Sequence, residues 1–178
     1  MKISILSKIQ KYVGRTLSVV SQIVDFENIG IIEFEFIERE EVALIIPIIT
    51  KGKTIILEQY RASINSFIIE FPAGKKKKEE TILDTAIREL KEETGYKAKK
   101  IEQIGTFLIA PHFTNEKIYV FVATELEFEN FNPEEKEIIS SKEVSLRELI
   151  KCQKKNILLD AKTNVALTML KNWRNAEK

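Results

Sequence analysis

The hydrophobic positions in the first forty residues follow the pattern of strands rather than that of a helix. Residues 17–24 are rich in β-branched side chains, and residues 31–37 alternate apolar with polar positions. Residues 27–30, Glu-Asn-Ile-Gly, have the composition of a turn between these two strands. Because two or three such strands bury little apolar surface alone, we expect them to pack on the rest of the chain or on another subunit.

Strand patterns continue after a charged stretch at residues 38–41, which predicts a boundary near residue 40. Apolar strands at residues 42–49 and 54–59 flank Lys51-Gly52-Lys53, a sequence typical of a hairpin turn. Shorter strands are predicted at residues 67–71, 101–110 and 118–123. The larger part of the chain is therefore expected to contain a sheet.

Helical periodicity marks residues 80–94 and 160–173, and a short helix is expected at residues 145–151. The apolar face predicted for the first helix comprises Ile82, Leu83, Ala86, Ile87 and Leu90. Gly95 is placed to end this helix as a left-handed cap, and Asp160 is placed to begin the last one as its N-cap. The apolar face predicted for the last helix comprises Val165, Ala166, Met169 and Trp173.

The composition limits the class of protein. A chain of 178 residues fits one domain or a domain with a small appendage, and 44% hydrophobic with 31% charged residues is typical of a soluble globular protein. Its 28 basic and 27 acidic residues give a net charge of +1. Binding to a phosphate backbone usually needs a basic face, so this balance argues against a nucleic-acid partner.

The inventory of metal-ligating residues is short. Cys152 is the only cysteine and His112 the only histidine, which excludes an intrachain disulfide and a zinc site built from Cys or His. A bound metal would need carboxylate and carbonyl oxygens, which are the ligands of Mg²⁺ and Mn²⁺.

No membrane segment is predicted. Residues 1–8 are interrupted by charge too early for a signal peptide, and the longest apolar run, residues 42–49, is too short to span a bilayer. We therefore expect a cytoplasmic protein without a membrane partner.

The predicted helix at 80–94 carries three glutamates, Glu89, Glu92 and Glu93, in its last turn. The helix dipole is negative there, and Glu89 repels both others at i, i+3 and i, i+4 spacing. Arg88 alone offsets this charge locally. The pattern suggests a divalent cation between the carboxylates. The alternative is a solvated acidic face of the helix.

The flanking residues extend this pattern. Counted from Gly74, the sequence has five residues, Glu80, seven residues, Arg88-Glu89-Leu90, one residue, Glu92-Glu93, one residue, and Gly95-Tyr96. This spacing resembles the Nudix box of the Nudix hydrolases, although Tyr96 stands where an aliphatic residue is commoner. The resemblance implies an α/β fold. We expect a Nudix α/β/α sandwich with a mixed sheet at residues 41–178, preceded by a small antiparallel β subdomain at residues 1–40.

Other segments resemble the ADP-ribose pyrophosphatase branch of that superfamily, namely residues 58–61 (Glu-Gln-Tyr-Arg), 70–74 (Glu-Phe-Pro-Ala-Gly), 92–96 and 160–163. Residues 110–116 are similar to the Ser-Pro-Gly-Phe-x-x-Glu loop of the branch, with His112 in place of the glycine. The resemblance implies that the strands of residues 1–40 take part in a homodimer and in the substrate pocket.

The metal ligands implied by the resemblance are Glu89, Glu92, Glu93, Glu137 and the carbonyl of Ala73. Glu89, Glu93 and Ala73 would hold one Mg²⁺, and Glu92 would hold or bridge a second ion, with Mn²⁺ as a possible substitute. Arg88 would orient the glutamates, and Gly74 would allow the backbone to approach the metal closely.

In this branch the base comes from an acidic loop after the last strands of the sheet. The candidates here are Glu134, Glu135 and Glu137, of which we favour Glu135 as the base and Glu137 as a metal ligand. The alternative is a solvated charged loop.

Two further residues are expected to contact substrate. Arg61 would bind phosphate, and Glu116 would contact the metal site or the terminal ribose. The alternative for Arg61 is an ordinary surface position at the end of a strand.

The function implied by the resemblance is Mg²⁺-dependent hydrolysis of ADP-ribose to AMP and ribose 5-phosphate. Three alternatives stay open: hydrolysis of another nucleoside diphosphate derivative, such as an NDP-sugar, FAD, NADH or a dinucleoside polyphosphate; a Nudix domain that binds a nucleotide without turnover; and mRNA decapping, which suits the near-neutral charge poorly.

Overall fold

A computed structural model describes residues 2–50, 52–130, 138–155 and 160–176. The chain divides into two compact units. The first comprises Met1–Glu40 with Leu108–Lys117, and the second comprises Glu41–Phe107 with Ile118–Lys178.

The first unit contains a three-stranded antiparallel sheet in the order β1-β2-β3. Its strands are β1 (Ile3–Val13), β2 (Ser18–Phe26) and β3 (Gly30–Glu38). The predicted turn before Gly30 is confirmed, and Gly30 has a φ of 107°, which favours glycine. The loop at residues 108–117 joins this sheet by one bridge, between Ile37 and Thr114.

The second unit contains a mixed sheet of seven described strands, in the order β10-β5-β4-β9-β8 with β6 on β5 and β7 on β4. These strands are β4 (Val42–Thr50), β5 (Lys53–Arg61), β6 (Ser66–Glu70), β7 (Ala73–Lys75), β8 (Tyr96–Leu108), β9 (Lys117–Phe128) and β10 (Ile138–Ser145). β4 runs antiparallel to β5 and parallel to β9, and its apolar residues are buried on both faces of the sheet. The predicted α/β/α sandwich is confirmed.

Three α-helices lie in the described part of this unit: α1 (Ile82–Thr94), α2 (Leu146–Lys154) and α3 (Ala161–Ala176). α1 packs on the sheet through Ala86 and Leu90, which contact Ala43, Ile45 and Phe121 in one core cluster. No helix in the described ranges is both long enough and apolar enough to cross a bilayer.

The apolar face predicted for α1 is wrong at two positions. Leu83 is 43% and Ile87 46% exposed. The buried side of the helix is completed by Glu89 and Glu93 instead, because it faces a backbone segment as well as the sheet. In the last helix Val165, Met169 and Trp173 are only half-buried, whereas Leu167 and Leu170 are buried.

Candidate active site

The helix α1 is fixed at both ends by local sequence. Thr81 and Asp84 form a capping box, in which the Thr81 hydroxyl accepts from the Asp84 amide at 3.1 Å and the Asp84 carboxylate accepts from the Thr81 amide at 3.0 Å. Gly95 ends the helix with a φ of 78° and donates its amide to the carbonyl of Lys91 at 2.9 Å. The two caps place the three glutamates in the last turns of the helix.

Arg88 lies among these acids and joins them. Its guanidinium donates to Glu80 at 2.6 and 3.0 Å, to Glu89 at 2.5 Å and to Glu92 at 2.9 Å. A further N–H donates to the carbonyl of Lys75 at 3.0 Å, which ties the helix to β7. The hydrogen bonds from Arg88 lower the pKa of Glu80 to about 2. The hydrogen bonds to Glu80 in turn raise the pKa of Arg88, so both groups are charged at neutral pH.

The short strand β7 approaches the same turn of α1. It is held on β4 by the pairs Leu44–Ala73 and Ala43–Gly74. The Ala73 amide donates to Glu93 Oε2 at 2.8 Å. A Cβ atom added at Gly74 would overlap the carboxylate of Glu89, so any larger residue here would have to displace that carboxylate. The backbone of Ala73–Gly74 and the buried Glu89 and Glu93 therefore form one site.

The residues of this site fit a hard divalent cation. The donor set consists of carboxylates beside a backbone segment that has no side chain to exclude an ion. In the ranges that the structure describes, no group of three or more Asp, Glu, His or Cys side chains is arranged to hold a metal. Instead, Glu92 is bonded to Arg88, and Glu93 accepts from Ala73. Glu134, Glu135 and Glu137, the predicted base candidates and fourth carboxylate ligand, lie outside the described residues.

The structure places Arg61 at the end of β5, where two of its N–H groups donate to Glu70 at 2.6 and 2.7 Å. The Arg61 side chain is 39% exposed, whereas that of Glu70 is 2% exposed. Glu116 lies in the first unit, with its carboxylate 3.7 Å from Arg39 Nε. His112 has a negative φ, so the loop follows a backbone path that does not need the glycine it replaces.

A group of charged residues beside Arg61 was not predicted from the sequence motifs. Glu70 had no predicted role, although an acid that ends an apolar strand is an available signal. Asp160 was identified as a helix cap and Lys162 as part of a resemblance, but the contact of Lys162 with Glu70 had no signal in the sequence because 92 residues separate the two.

The chain is similar to known proteins in sequence and in fold. A family model for the NUDIX domain matches residues 38–165. An ADP-ribose pyrophosphatase of Bacillus subtilis is 33% identical over 93% of this chain and 90% of that protein. A methanol dehydrogenase activator of Bacillus methanolicus is 32% identical over 90% of this chain and 88% of that protein. A crystal structure of an ADP compounds hydrolase matches with a TM-score of 0.85 and 24% identity, covering 99% of this chain and 96% of that chain.

Proposed function

Since this chain belongs to the Nudix family, we propose that it hydrolyses the pyrophosphate bond of ADP-ribose to AMP and ribose 5-phosphate with Mg²⁺ as cofactor. Its class, a Nudix pyrophosphohydrolase, follows from the match to the family model and from the relatives of that family. The choice of ADP-ribose is supported by the Bacillus subtilis relative, which is named an ADP-ribose pyrophosphatase and is similar along nearly the whole chain.

The observation that carries the proposal is the packing of Ala73–Gly74 against the glutamate turn of α1. The Ala73 amide and Glu93, which are 20 residues apart in the sequence, are held together by a hydrogen bond, and the carboxylates of Glu89 and Glu93 are buried where the two segments meet. A solvated acidic face would leave these carboxylates in water. Buried carboxylates beside an open backbone suit a site that accumulates positive charge before it binds a pyrophosphate.

In the proposed reaction water attacks one phosphorus and the other phosphate leaves. Glu89, Glu93 and the carbonyl of Ala73 would hold one Mg²⁺, and Glu92 and Glu137 would complete the metal ligands. When bound, Mg²⁺ neutralises phosphate oxygens and thereby lowers the barrier to attack.

The roles proposed for the other side chains are those that the family resemblance implies. Arg88 holds Glu89 and Glu92 in place through its hydrogen bonds. Glu135 would accept the proton of the attacking water. Arg61 would bind a phosphate oxygen, and Glu116 would contact the substrate.

A release assay tests the substrate. Purified protein with Mg²⁺ is offered ADP-ribose, GDP-mannose, diadenosine polyphosphates, NADH and 8-oxo-dGTP at equal concentration, and the products are separated by chromatography. We expect the highest kcat/KM for ADP-ribose. A higher kcat/KM for another compound would refute ADP-ribose as the substrate, but the protein would still be a pyrophosphohydrolase. Binding of ADP-ribose without formation of product would favour a non-catalytic domain.

Replacement of Gly74 tests the close approach at the site. We expect Gly74→Ala to lower kcat about 100-fold, because the new methyl group displaces the Glu89 carboxylate, and to lower stability by about 1–3 kcal/mol through overpacking. The readouts are steady-state kinetics and chemical denaturation. Gly105→Ala is the matched control, since its Cβ would meet only the flexible side chain of Met169, at 2.9 Å. Equal kcat in the two variants would contradict the close approach.

We also propose a homodimer formed through the sheet of the first unit. One face of this sheet carries large apolar side chains that are exposed in the single chain, namely Ile3, Ile5, Ile32 and Phe34. Ile5 and Ile32 lie in one row across β2, because both are paired with Val24. An exposed apolar face of this kind is typical of a subunit interface.

Light scattering checks the dimer. We expect a particle of twice the chain mass of 20.6 kDa, and we expect Ile5→Glu to dissociate it by placing a charge in the interface. Ile31→Glu is the matched control: Ile31 has the same 65% exposure as Ile5 but lies on the opposite face of the sheet. A monomeric wild-type protein would refute the dimer. Dissociation by Ile31→Glu and not by Ile5→Glu would show that the interface lies on the other face of the sheet.

A further inference from the structure

Four charged side chains form a chain of ion pairs that runs from the start of α3 to Arg61. Asp160 Oδ1 accepts from Lys162 Nζ at 2.9 Å, and the same ammonium lies 3.1 Å from Glu70 Oε2. Glu70 in turn accepts from Arg61 through both carboxylate oxygens. Two positive and two negative groups are thereby joined across three elements, β5, β6 and α3.

The inner members of this network are removed from water. Glu70 and Asp160 are buried, and the Lys162 side chain is 22% exposed. Burial by itself would lower the pKa of Lys162, but the charges of Asp160 and Glu70 outweigh it and raise this pKa. Burial would likewise raise the pKa of Asp160, but Lys162 and the hydrogen bonds from Thr163 lower it. The ammonium and the Asp160 carboxylate are therefore both charged at neutral pH.

The local fold fixes where Lys162 can reach. Asp160 caps α3, since its Oδ2 accepts from the Thr163 amide at 2.8 Å and from the Thr163 hydroxyl at 2.6 Å. The Thr163 hydroxyl oxygen accepts from the Phe71 amide at 3.1 Å. The first turn of α3 is thus fastened to the end of β6, directly beside Glu70 and two residues before Ala73.

Glu70 links Lys162 to Arg61, the residue that is expected to bind a phosphate group. Its Oε2 is shared by Arg61 and Lys162, so the position of the carboxylate depends on both cations. Without Lys162, the Glu70 carboxylate would pair with Arg61 alone and would offset more of the guanidinium charge. Glu70 would also lose one of the contacts that fix the orientation of its carboxylate. Either change would alter the orientation or the effective charge of the partly exposed Arg61 guanidinium.

We propose that Lys162 is a positioning residue that acts on Arg61 through Glu70. It helps to hold the carboxylate that orients Arg61 and shares the negative charge of that carboxylate, so that Arg61 can bind a phosphate group of the substrate. The proposal rests on the proposed function for the identity of the substrate, a nucleoside diphosphate derivative. Helix α3 would then contribute to substrate binding through Lys162, in addition to the residues of the Nudix box.

Kinetics of matched variants test the proposal. We expect Lys162→Met to raise KM about tenfold and to leave kcat within about twofold, because Arg61 contributes binding that is common to substrate and transition state. Lys162→Arg, which keeps the charge and a donor, should restore KM to within about threefold. Lys171→Met is the control, since Lys171 is an exposed residue of the same helix. Should Lys162→Met fail to fold, Lys162→Gln can replace it, because glutamine keeps a donor without the charge. We expect the same raised KM with a nearly unchanged kcat.

A double-mutant cycle isolates the route through Arg61. In an Arg61→Met background we expect Lys162→Met to change KM less than twofold, because the group through which it acts has been removed. An equal effect of Lys162→Met in both backgrounds, or a fall in melting temperature with unchanged KM, would overturn the proposal and leave Lys162 a structural residue.

A measurement without substrate separates this inference from the proposed function. In ¹H–¹⁵N spectra the Arg61 Nε–H, identified by its loss in Arg61→Met, should exchange slowly with water in the wild type because it donates to buried Glu70. We expect faster exchange or a shifted resonance in Lys162→Met and no change in Lys171→Met. An unchanged Arg61 signal in Lys162→Met would overturn the positioning role even if hydrolysis is observed. A wild-type protein that hydrolyses nothing would overturn the proposed function alone.

Discussion

Glu93→Gln is expected to lower kcat by about 10³-fold while the fold survives. The substitution removes a charge from the proposed metal site and with it about 4 kcal/mol of stabilisation of the transition state, and each 1.36 kcal/mol changes the rate tenfold. The fold should survive because the glutamine oxygen can still accept from the Ala73 amide, which Glu93 holds at 2.8 Å. Steady-state kinetics at several Mg²⁺ concentrations and thermal denaturation measure the two effects separately.

Glu79→Gln is the control for this prediction. It removes the same charge at an exposed position just before α1, and we expect wild-type kcat. Retention of full activity in Glu93→Gln would refute the metal site at the last turn of α1, and an equal loss in both variants would assign the effect to net charge.

Glu135→Gln is expected to lower kcat by about 10²–10⁴-fold, the usual contribution of a general base. The base must be deprotonated to act, so wild-type kcat should fall as the pH drops through its pKa, and this acidic limb should be absent in Glu135→Gln. The pH profile of kcat at saturating Mg²⁺ is the measurement.

The neighbouring glutamates supply the comparison. Glu137→Gln, at a proposed metal ligand, should raise the Mg²⁺ concentration needed for half-maximal activity, and Glu134→Gln should resemble the wild type. If Glu134→Gln instead loses the acidic limb, Glu135 is not the base. If none of the three variants changes kcat, the acidic loop is a solvated segment.

The sequence predicted those parts of the site whose signals are local. The span of α1 follows from its periodicity and from Gly95, whose left-handed conformation the structure confirms. Asp160 was predicted as the cap of the last helix, and its carboxylate accepts from the Thr163 amide. Each of these features depends on residues within one or two helical turns, and the physics of caps acts at that range.

Features that depend on distant packing were not predicted. β7 is only three residues long, and β10 carries polar residues throughout much of its length, so neither has the apolar alternation of a half-buried strand. Leu83 and Ile87 match a helical apolar face, yet are exposed because that helix buries Glu89 and Glu93 against Ala73–Gly74. The family resemblance supplied candidate roles for single residues, but not the network that joins Arg61 to α3.

Hydrolysis in ¹⁸O-labelled water shows whether this protein directs water to the pyrophosphate of ADP-ribose. The wild-type protein is incubated with ADP-ribose and Mg²⁺, and the products are examined by mass spectrometry. We expect AMP and ribose 5-phosphate in equal amounts, with one ¹⁸O atom in only one of the two product phosphates and no reaction after the metal is chelated. Absence of product, or products with no label in either phosphate, would contradict attack of water on the pyrophosphate.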